Sequence, residues 1–327
     1  MALHGPDFPD LVELPGFTAP QGAVVEWLKL DGGIRLRTAR WMLPDDQTQG
    51  TVLLLNGRTE FIEKYFEVIS ELLQRGLSVI TFDWRGQGLS TRLLADPLKS
   101  HISDFSEFDA DIACVVDRIL KEHGTRPYFG LAHSMGGNVL LRYLRDFPHE
   151  FDRAVLCAPM LAVRTEPFPQ WAARALATTC RFTGAREAYV IGGSPQDPFT
   201  QPFEGNRITT DRARYERGKS LVLHDRRLAC GAPTFGWLEA AFRSMDLVTT
   251  EDFAATIETP LLLVGAAQDQ IVQPGADYLL IRRIKRGMYV LLKAEHEILM
   301  ERNEIRRAFW ACFDPFMGLP QRASAST

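Results

Sequence analysis

Ser134 stands in Ala132-His133-Ser134-Met135-Gly136, directly after an apolar run and directly before a helical pattern. A serine on so sharp a strand-to-helix turn needs small residues two positions away on either side, because larger side chains would collide. Ala132 and Gly136 meet that need, with Gly137 beyond them. The turn places the hydroxyl at a helix N-terminus, where backbone N–H groups favour a developing negative charge. The other role for such a serine is a plain N-cap. The apolar strand before it and the glycine pair after it favour a nucleophile.

A serine hydroxyl is a weak nucleophile and needs a base. On such an elbow the partners follow in chain order: serine, acid, histidine. The seven histidines are His4, His101, His123, His133, His149, His224 and His296. His149 lies at the far end of the helix that Ser134 starts, and His224 falls in a long segment without strands. His296, in Lys293-Ala294-Glu295-His296-Glu297, follows the last strand pattern and is the expected base. His133 is expected to point away from its neighbour Ser134 as a packed turn histidine. Asp269 follows the apolar run 261–264 in a loop and is the expected acid, holding the imidazole tautomer and stabilising the imidazolium. Glu258 and Asp277 do not follow a strand end, and Asp83 precedes the serine. The oxyanion donors are expected to be the Met135 N–H and the Arg58 N–H, the latter in Asn56-Gly57-Arg58-Thr59 where Gly57 permits close approach. The Arg58 side chain has two readings, contact with an anionic headgroup or a surface arginine.

The elements that must position these groups are short apolar runs at 24–30, 34–40, 51–55, 77–82, 128–133, 154–158, 261–264 and 288–292. Asp31-Gly32-Gly33 marks a hairpin between the first two. Helical patterns occupy 61–74, 105–123, 138–147 and 275–286. Alternation of strand and helix predicts an α/β fold with a mostly parallel eight-stranded sheet and helices on both faces. Strands apolar throughout predict burial on both sides. The alternation breaks at 159–258, a stretch rich in Pro, Gly and aromatics that is too long for an unstructured loop. It is expected to be an inserted helical cap, or lid, on a core made of 20–158 and 259–316. Pro167, Phe168, Trp171, Ala172, Leu176, Phe182, Phe199 and Phe203 supply its apolar surface, for an acyl pocket or for packing against the core.

The 327 residues are 46% hydrophobic and 24% charged, an ordinary globular composition, with a net charge of −4. That balance argues against a nucleic-acid partner. Arg282, Arg283, Lys285 and Arg286 read as the basic last turn of a helix with Gly287 as its C-cap. Five widely spaced cysteines fit neither a disulfide framework nor a zinc site, so reduced thiols and a cytoplasmic location are expected. The first residues show no signal-peptide pattern, no run of 18 apolar residues occurs, and 321–327 read as a frayed tail.

Four segments carry a resemblance: Asn56-Gly-Arg-Thr-Glu-Phe-Ile-Glu-Lys-Tyr65, Asp83-Trp-Arg-Gly-Gln-Gly-Leu-Ser90, Ala132-His-Ser-Met-Gly-Gly137 and Glu295-His-Glu-Ile-Leu-Met-Glu301. The chain resembles the bacterial lysophospholipase and monoacylglycerol-lipase branch of the α/β-hydrolases, the serine aminopeptidase S33-type hydrolases, over about residues 20–315. The resemblance implies a triad of Ser134, Asp269 and His296, oxyanion amides at Arg58 and Met135, and neither cofactor nor metal. It implies hydrolysis of carboxylic esters of lipid-like substrates, a lysophospholipid or a monoacylglycerol, through an acyl-enzyme on Ser134. Two positions depart from the family pattern: Asn56 replaces the histidine of the oxyanion loop, and Ala132 the first glycine of the elbow. A thioesterase, peptidase or acyltransferase on the same triad is the alternative, and a non-catalytic binding protein a more distant one. A small-molecule lipid or ester is the implied partner. Peripheral contact through the cap with the inner face of a membrane is a further expectation. The sequence sets no oligomeric state.

Overall fold

The computed structural model describes residues 11–319. The first residues and the anticipated frayed tail lie outside the described residues. One sheet is built from β1 (Ala23–Lys29), β2 (Arg35–Trp41), β3 (Thr51–Leu55), β4 (Ser78–Phe82), β5 (Tyr128–His133), β6 (Arg153–Cys157), β7 (Leu261–Ala266) and β8 (Gly287–Leu292). Their order is β1-β2-β4-β3-β5-β6-β7-β8. β2 runs antiparallel to both its neighbours, and all other pairings are parallel. Every residue of β3, β4, β5 and β7 is buried, which is why these runs lack the alternation of a half-exposed strand. The turn between β1 and β2 places Gly32 and Gly33 at φ of 71° and 78°, where a side chain is disfavoured.

The helices are α1 (Phe66–Gln74), α2 (Ser106–Val115), α3 (Lys121–His123), α4 (Met135–Asp146), α5 (Gln170–Phe182), α6 (Arg212–His224), α7 (Phe235–Val248), α8 (Glu251–Ala255), α9 (Pro274–Ile281) and α10 (Asn303–Met317). The helical pattern at 105–123 is realised as α2, a π-helical turn at Val116–Leu120 and α3. α4 begins three residues before the expected 138, because Ser134 itself caps it. The basic run 282–286 does not end a helix as expected. α9 stops at Ile281 and Gly287 opens β8, pairing with Leu261. A Cβ on Gly287 would sit 2.7 Å from the Ile281 carbonyl oxygen, so this glycine allows a close approach and does not cap. α10 carries buried Phe309, Phe313, Phe316 and Met317 at helical spacing onto the sheet.

Between β6 and β7 the chain forms α5, α6, α7 and α8. α5 lies on α7, with Arg174 paired to Asp246 at 2.6 Å and Arg181 to Glu239 at 3.1 Å. α6 is anchored to the core differently: Arg214 holds Glu67 of α1 at 2.5 Å, and Arg306 of α10 holds the same carboxylate at 2.7 Å. The five cysteines are free thiols.

Candidate active site

The C-terminal ends of β3, β5, β7 and β8 converge on one point, as expected for ligand sites of parallel sheets. Ser134 follows β5 with φ 51° and ψ −116°, a left-handed conformation unusual for a residue with a side chain. Such a conformation costs roughly 1–3 kcal/mol and persists only where the surroundings enforce it. Here the Ser134 N–H donates to Cys157 O at 3.1 Å, and its carbonyl accepts from Gly137, Asn138 and Met160 N–H groups at 3.0, 3.2 and 2.9 Å. A Cβ on Gly136 would lie 2.6 Å from Asn56 O, and one on Gly137 2.9 Å from Pro159 Cβ. Gly136 lets α4 start against the end of β3, and Gly137 lets it pass the end of β6. Ala132, where glycine is usual, is fully buried in β5 between Leu55 and Leu156.

His296, after β8, places Nε2 2.9 Å from Ser134 Oγ and Nδ1 2.7 Å from Asp269 Oδ2. Asp269 Oδ1 accepts from the Ile271 and Val272 N–H groups at 2.7 and 2.8 Å. Burial alone would raise the Asp269 carboxyl, but the His296 hydrogen bond and charge and these two amides hold it below its ordinary value. All three side chains are buried. The other carboxylates are elsewhere: Asp83 pairs with Arg37 at 2.7 Å, and Glu258 lies 3.9 Å from His149. Asp277 is buried with both oxygens unbonded among the described residues, its carboxyl pushed well up by burial and by Asp269.

The loop after β3 brings Arg58 to the serine. A Cβ on Gly57 would stand 3.2 Å from Ser134 Cβ. Neither Arg58 N–H nor Met135 N–H has a protein acceptor among the described residues, as oxyanion donors require. Asn56 secures the loop: its Nδ2 donates to Phe82 O at 2.9 Å and its Oδ1 accepts from Gln87 Nε2 at 3.2 Å.

Beneath the site lies a buried ionic layer that sequence reasoning missed. Glu60 accepts from Lys64 Nζ and the Tyr65 hydroxyl, both at 2.7 Å, from His133 Nδ1 at 3.0 Å, and from the Gly57 N–H. Lys64 also pairs with Glu297. The available signals were the i, i+4 spacing of Glu60 and Lys64 and the position of Glu297 beside the base. His133 is buried and packed, as expected above, but it is also hydrogen-bonded into this layer. Its Nε2 lies 3.2 Å from His296 O, and the two imidazoles stand 4.8 Å apart. Both nitrogens face oxygens, and beside an ionised Glu60 an imidazolium with two N–H donors satisfies both. Burial would lower the His133 pKa, but the Glu60 charge and hydrogen bond raise it. Two carboxylates and two cations then balance. Burial likewise opposes charge on Glu60 and is outweighed by Lys64 and His133, which hold the carboxyl well below its usual range.

Above Ser134 is a pocket of about 350 Å³, walled by Met160, Val163, Phe199, Trp237, Leu238 and Val272. Of the eight apolar cap residues singled out from the sequence, Phe199 lines it. Phe168, Trp171, Leu176 and Phe182 are exposed instead. The Arg58 guanidinium is no surface group: it donates to Gly231 O at 3.1 Å and lies 5.5 Å from the Trp237 ring centre. The segment 158–260 is stitched to both loops that carry the acid and the base. Arg164 N–H donates to Ile271 O at 2.9 Å, Gln273 N–H to Ala162 O at 2.8 Å, and Glu297 N–H to Ile208 O at 2.7 Å. Among the described residues, no group of three or more His, Cys, Asp or Glu side chains is placed to hold a metal.

The serine aminopeptidase S33 family matches residues 46–303. The chain belongs to this family. As an S33 hydrolase it has the α/β-hydrolase fold, with the eight-stranded, mostly parallel sheet expected. It is 30% identical over 267 residues to lysophospholipase L2 of Escherichia coli K12, covering 78% of this chain and 76% of that one. It is 26% identical over 285 residues to the probable lysophospholipase L2 of Haemophilus influenzae, covering 86% and 88%. A solved structure of a soluble variant of monoglyceride lipase from Saccharomyces cerevisiae, in complex with a substrate analogue, has a TM-score of 0.69 at 17% identity, covering 90% of this S33 chain and 96% of that one.

Proposed function

We propose that the protein hydrolyses the carboxylic ester of single-chain acyl lipids, a lysophospholipid or a monoacylglycerol, through an acyl-enzyme on Ser134. The observation that carries this is the Ser134–His296–Asp269 relay, at 2.9 and 2.7 Å, opening into a largely apolar pocket. Ser134 Oγ attacks the ester carbonyl as His296 Nε2 takes its proton. The Arg58 and Met135 amides receive the oxyanion. The bond to the leaving alcohol breaks, and His296 returns the proton to the alcohol oxygen. Water then attacks the acyl-enzyme by the same route, releasing the fatty acid and restoring Ser134. Asp269 stays ionised and holds the imidazole.

The names of the curated relatives favour lipid esters, and so does the pocket. A peptidase that binds a free α-amino group needs an uncommitted carboxylate beside the serine. Of the carboxylates that line the pocket, Glu60 and Glu297 on its floor are both engaged by Lys64, Glu60 also by His133, and Glu166 is paired with Arg164 at 3.6 Å. The test is a panel of lysophospholipids and monoacylglycerols of graded chain length, acyl thioesters and aminoacyl amides. Lipid esters are expected to give the highest kcat/KM. Faster turnover of aminoacyl amides or thioesters overturns the assignment.

The cap also suits a lipid surface. Trp171 and Phe182 are 74% and 79% exposed and lie eleven residues apart on α5, on one face three turns apart. No helix among the described residues is long and apolar enough to cross a membrane, so contact through α5 is peripheral. The protein is expected to co-sediment with vesicles of phosphatidylethanolamine and phosphatidylglycerol, and the Trp171→Ser, Phe182→Ser double variant to stay in the supernatant. Equal sedimentation of both proteins, or none of either, removes this contact.

A further inference from the structure

The Arg58 side chain has no assigned role, although it shares the pocket with Ser134. One hydrogen bond, to Gly231 O, is all that the described residues offer it, and no ion pair engages it. Burial presses against its charge, and nearby Asp197 and Cys230 offset that only in part. Asp197 does not pair with it. That carboxylate accepts instead from the Phe199 and Cys230 N–H groups, at 2.7 and 2.6 Å. The carboxylates of the pocket floor are committed to Lys64 and His133, as described above. A second guanidinium lines the same pocket: Arg207 is exposed and forms no ion pair among the described residues. The pocket therefore presents an apolar wall for a chain and, beside the Arg164–Glu166 pair, two guanidinium groups that no ion pair engages among the described residues. A guanidinium fork matches the geometry of phosphate oxygens.

We propose that Arg58 and Arg207 form a phosphate subsite for the leaving alcohol, so that the preferred substrate is an acyl glycerol bearing a phosphate headgroup. This rests on the lipid-ester reading above and chooses between its two substrates. The acyl chain takes the apolar wall, and the glycerol phosphate lies against Arg58 beside the amide that meets the oxyanion. Arg58 thus serves the reaction twice, with its backbone at the carbonyl and its side chain at the headgroup.

The test compares kcat/KM for lysophosphatidylglycerol and lysophosphatidylcholine with that for monoacylglycerol of the same chain, in wild type, Arg58→Gln, Arg58→Lys and Arg207→Gln. The readout is the ratio of phosphate-bearing to neutral substrate, which a general loss of activity does not move. Wild type is expected to favour the phosphate-bearing lipids. Arg58→Gln is expected to lower the ratio about tenfold, Arg58→Lys to lower it less, and Arg207→Gln about threefold. Glycerol 3-phosphate and inorganic phosphate are added as competitors against a chromogenic acyl ester, to separate recognition of a lipid headgroup from capture of free phosphate. Inhibition by glycerol 3-phosphate that weakens in Arg58→Gln supports the subsite, and inhibition by inorganic phosphate alone overturns it as a headgroup site. A ratio unchanged in Arg58→Gln, or a wild-type preference for monoacylglycerol, overturns it too. If wild type cleaves none of these lipids, the lipid-ester reading fails, while the competition arm still decides whether Arg58 binds phosphate.

Discussion

The floor of the pocket and helix α5, which lies on α7, are held by different forces. The floor is a closed ionic layer in which Glu60, Lys64, His133 and Glu297 are buried and satisfy one another. It ties the Gly57 N–H of the oxyanion loop to the His296 carbonyl of the base loop through two side chains, Glu60 and His133. Helix α5 lies on α7, outside the pocket lining, held by a small cluster of Ala177, Cys180 and Phe235 and by partly exposed pairs such as Arg174–Asp246, and it turns Trp171 and Phe182 to solvent. Buried charges bind strongly to fixed partners and are destructive when one is lost, whereas exposed pairs contribute little. The layer beside Ser134 is thus the part that tolerates least change, and the α5 surface the part that tolerates most.

Five variants bear on that contrast. Ser134→Ala is expected to lower kcat on a lipid ester by about 10⁴-fold or more while the thermal unfolding temperature holds. Activity near wild type ends the triad assignment. Lys64→Met leaves Glu60 and Glu297 facing each other without their shared cation. A loss of about 3–5 kcal/mol is expected in chemical denaturation, against less than about 1 kcal/mol for Arg174→Ala in α5. Similar losses for the two erase the distinction. His133→Asn removes a group whose folded pKa is raised. Its ion pair stabilises fully below the unfolded histidine value of about 6.5 and fades as pH rises through the raised folded value. Wild type is therefore expected to exceed His133→Asn in stability most at acidic to neutral pH, the gap narrowing in alkali. A gap that widens with pH means that His133 is neutral. The smallest effect belongs to the Trp171→Ser, Phe182→Ser pair, for which unfolding is expected to shift by less than about 0.5 kcal/mol. A larger loss places these rings in the packing of the cap.

The same contrast explains what could be read from the sequence. Ser134, Asp269 and His296 were legible because each follows an apolar strand in a fixed chain order, and the structure brings the three into hydrogen-bond reach. The sheet was legible from its uniformly apolar runs. The ionic floor was not, because Glu60 and Glu297 are 237 positions apart in the numbering and nothing local separates a buried lysine from a solvated one. The partners of His133 were hidden for the same reason: they come from the loops after β3 and β8. The pocket wall was equally hidden. Phe199 and Phe182 are alike in type and setting, yet one is buried at the pocket and the other is open to solvent. The end of α9 was missed because the register of β8 on β7, a non-local pairing, sets where the helix must stop.

The backbone hydrogen bonds from the inserted segment to the acid and base loops limit how this protein can be re-engineered. Joining β6 directly to β7 would delete the carbonyls of Ala162 and Ile208, leaving the N–H groups of Gln273 and Glu297 without partners next to Asp269 and His296. A minimal lidless enzyme therefore has to retain the stretches around 160–164 and 206–210, or replace what they donate and accept. Cap swaps between homologues succeed or fail at those two seams, whatever helices are carried between them.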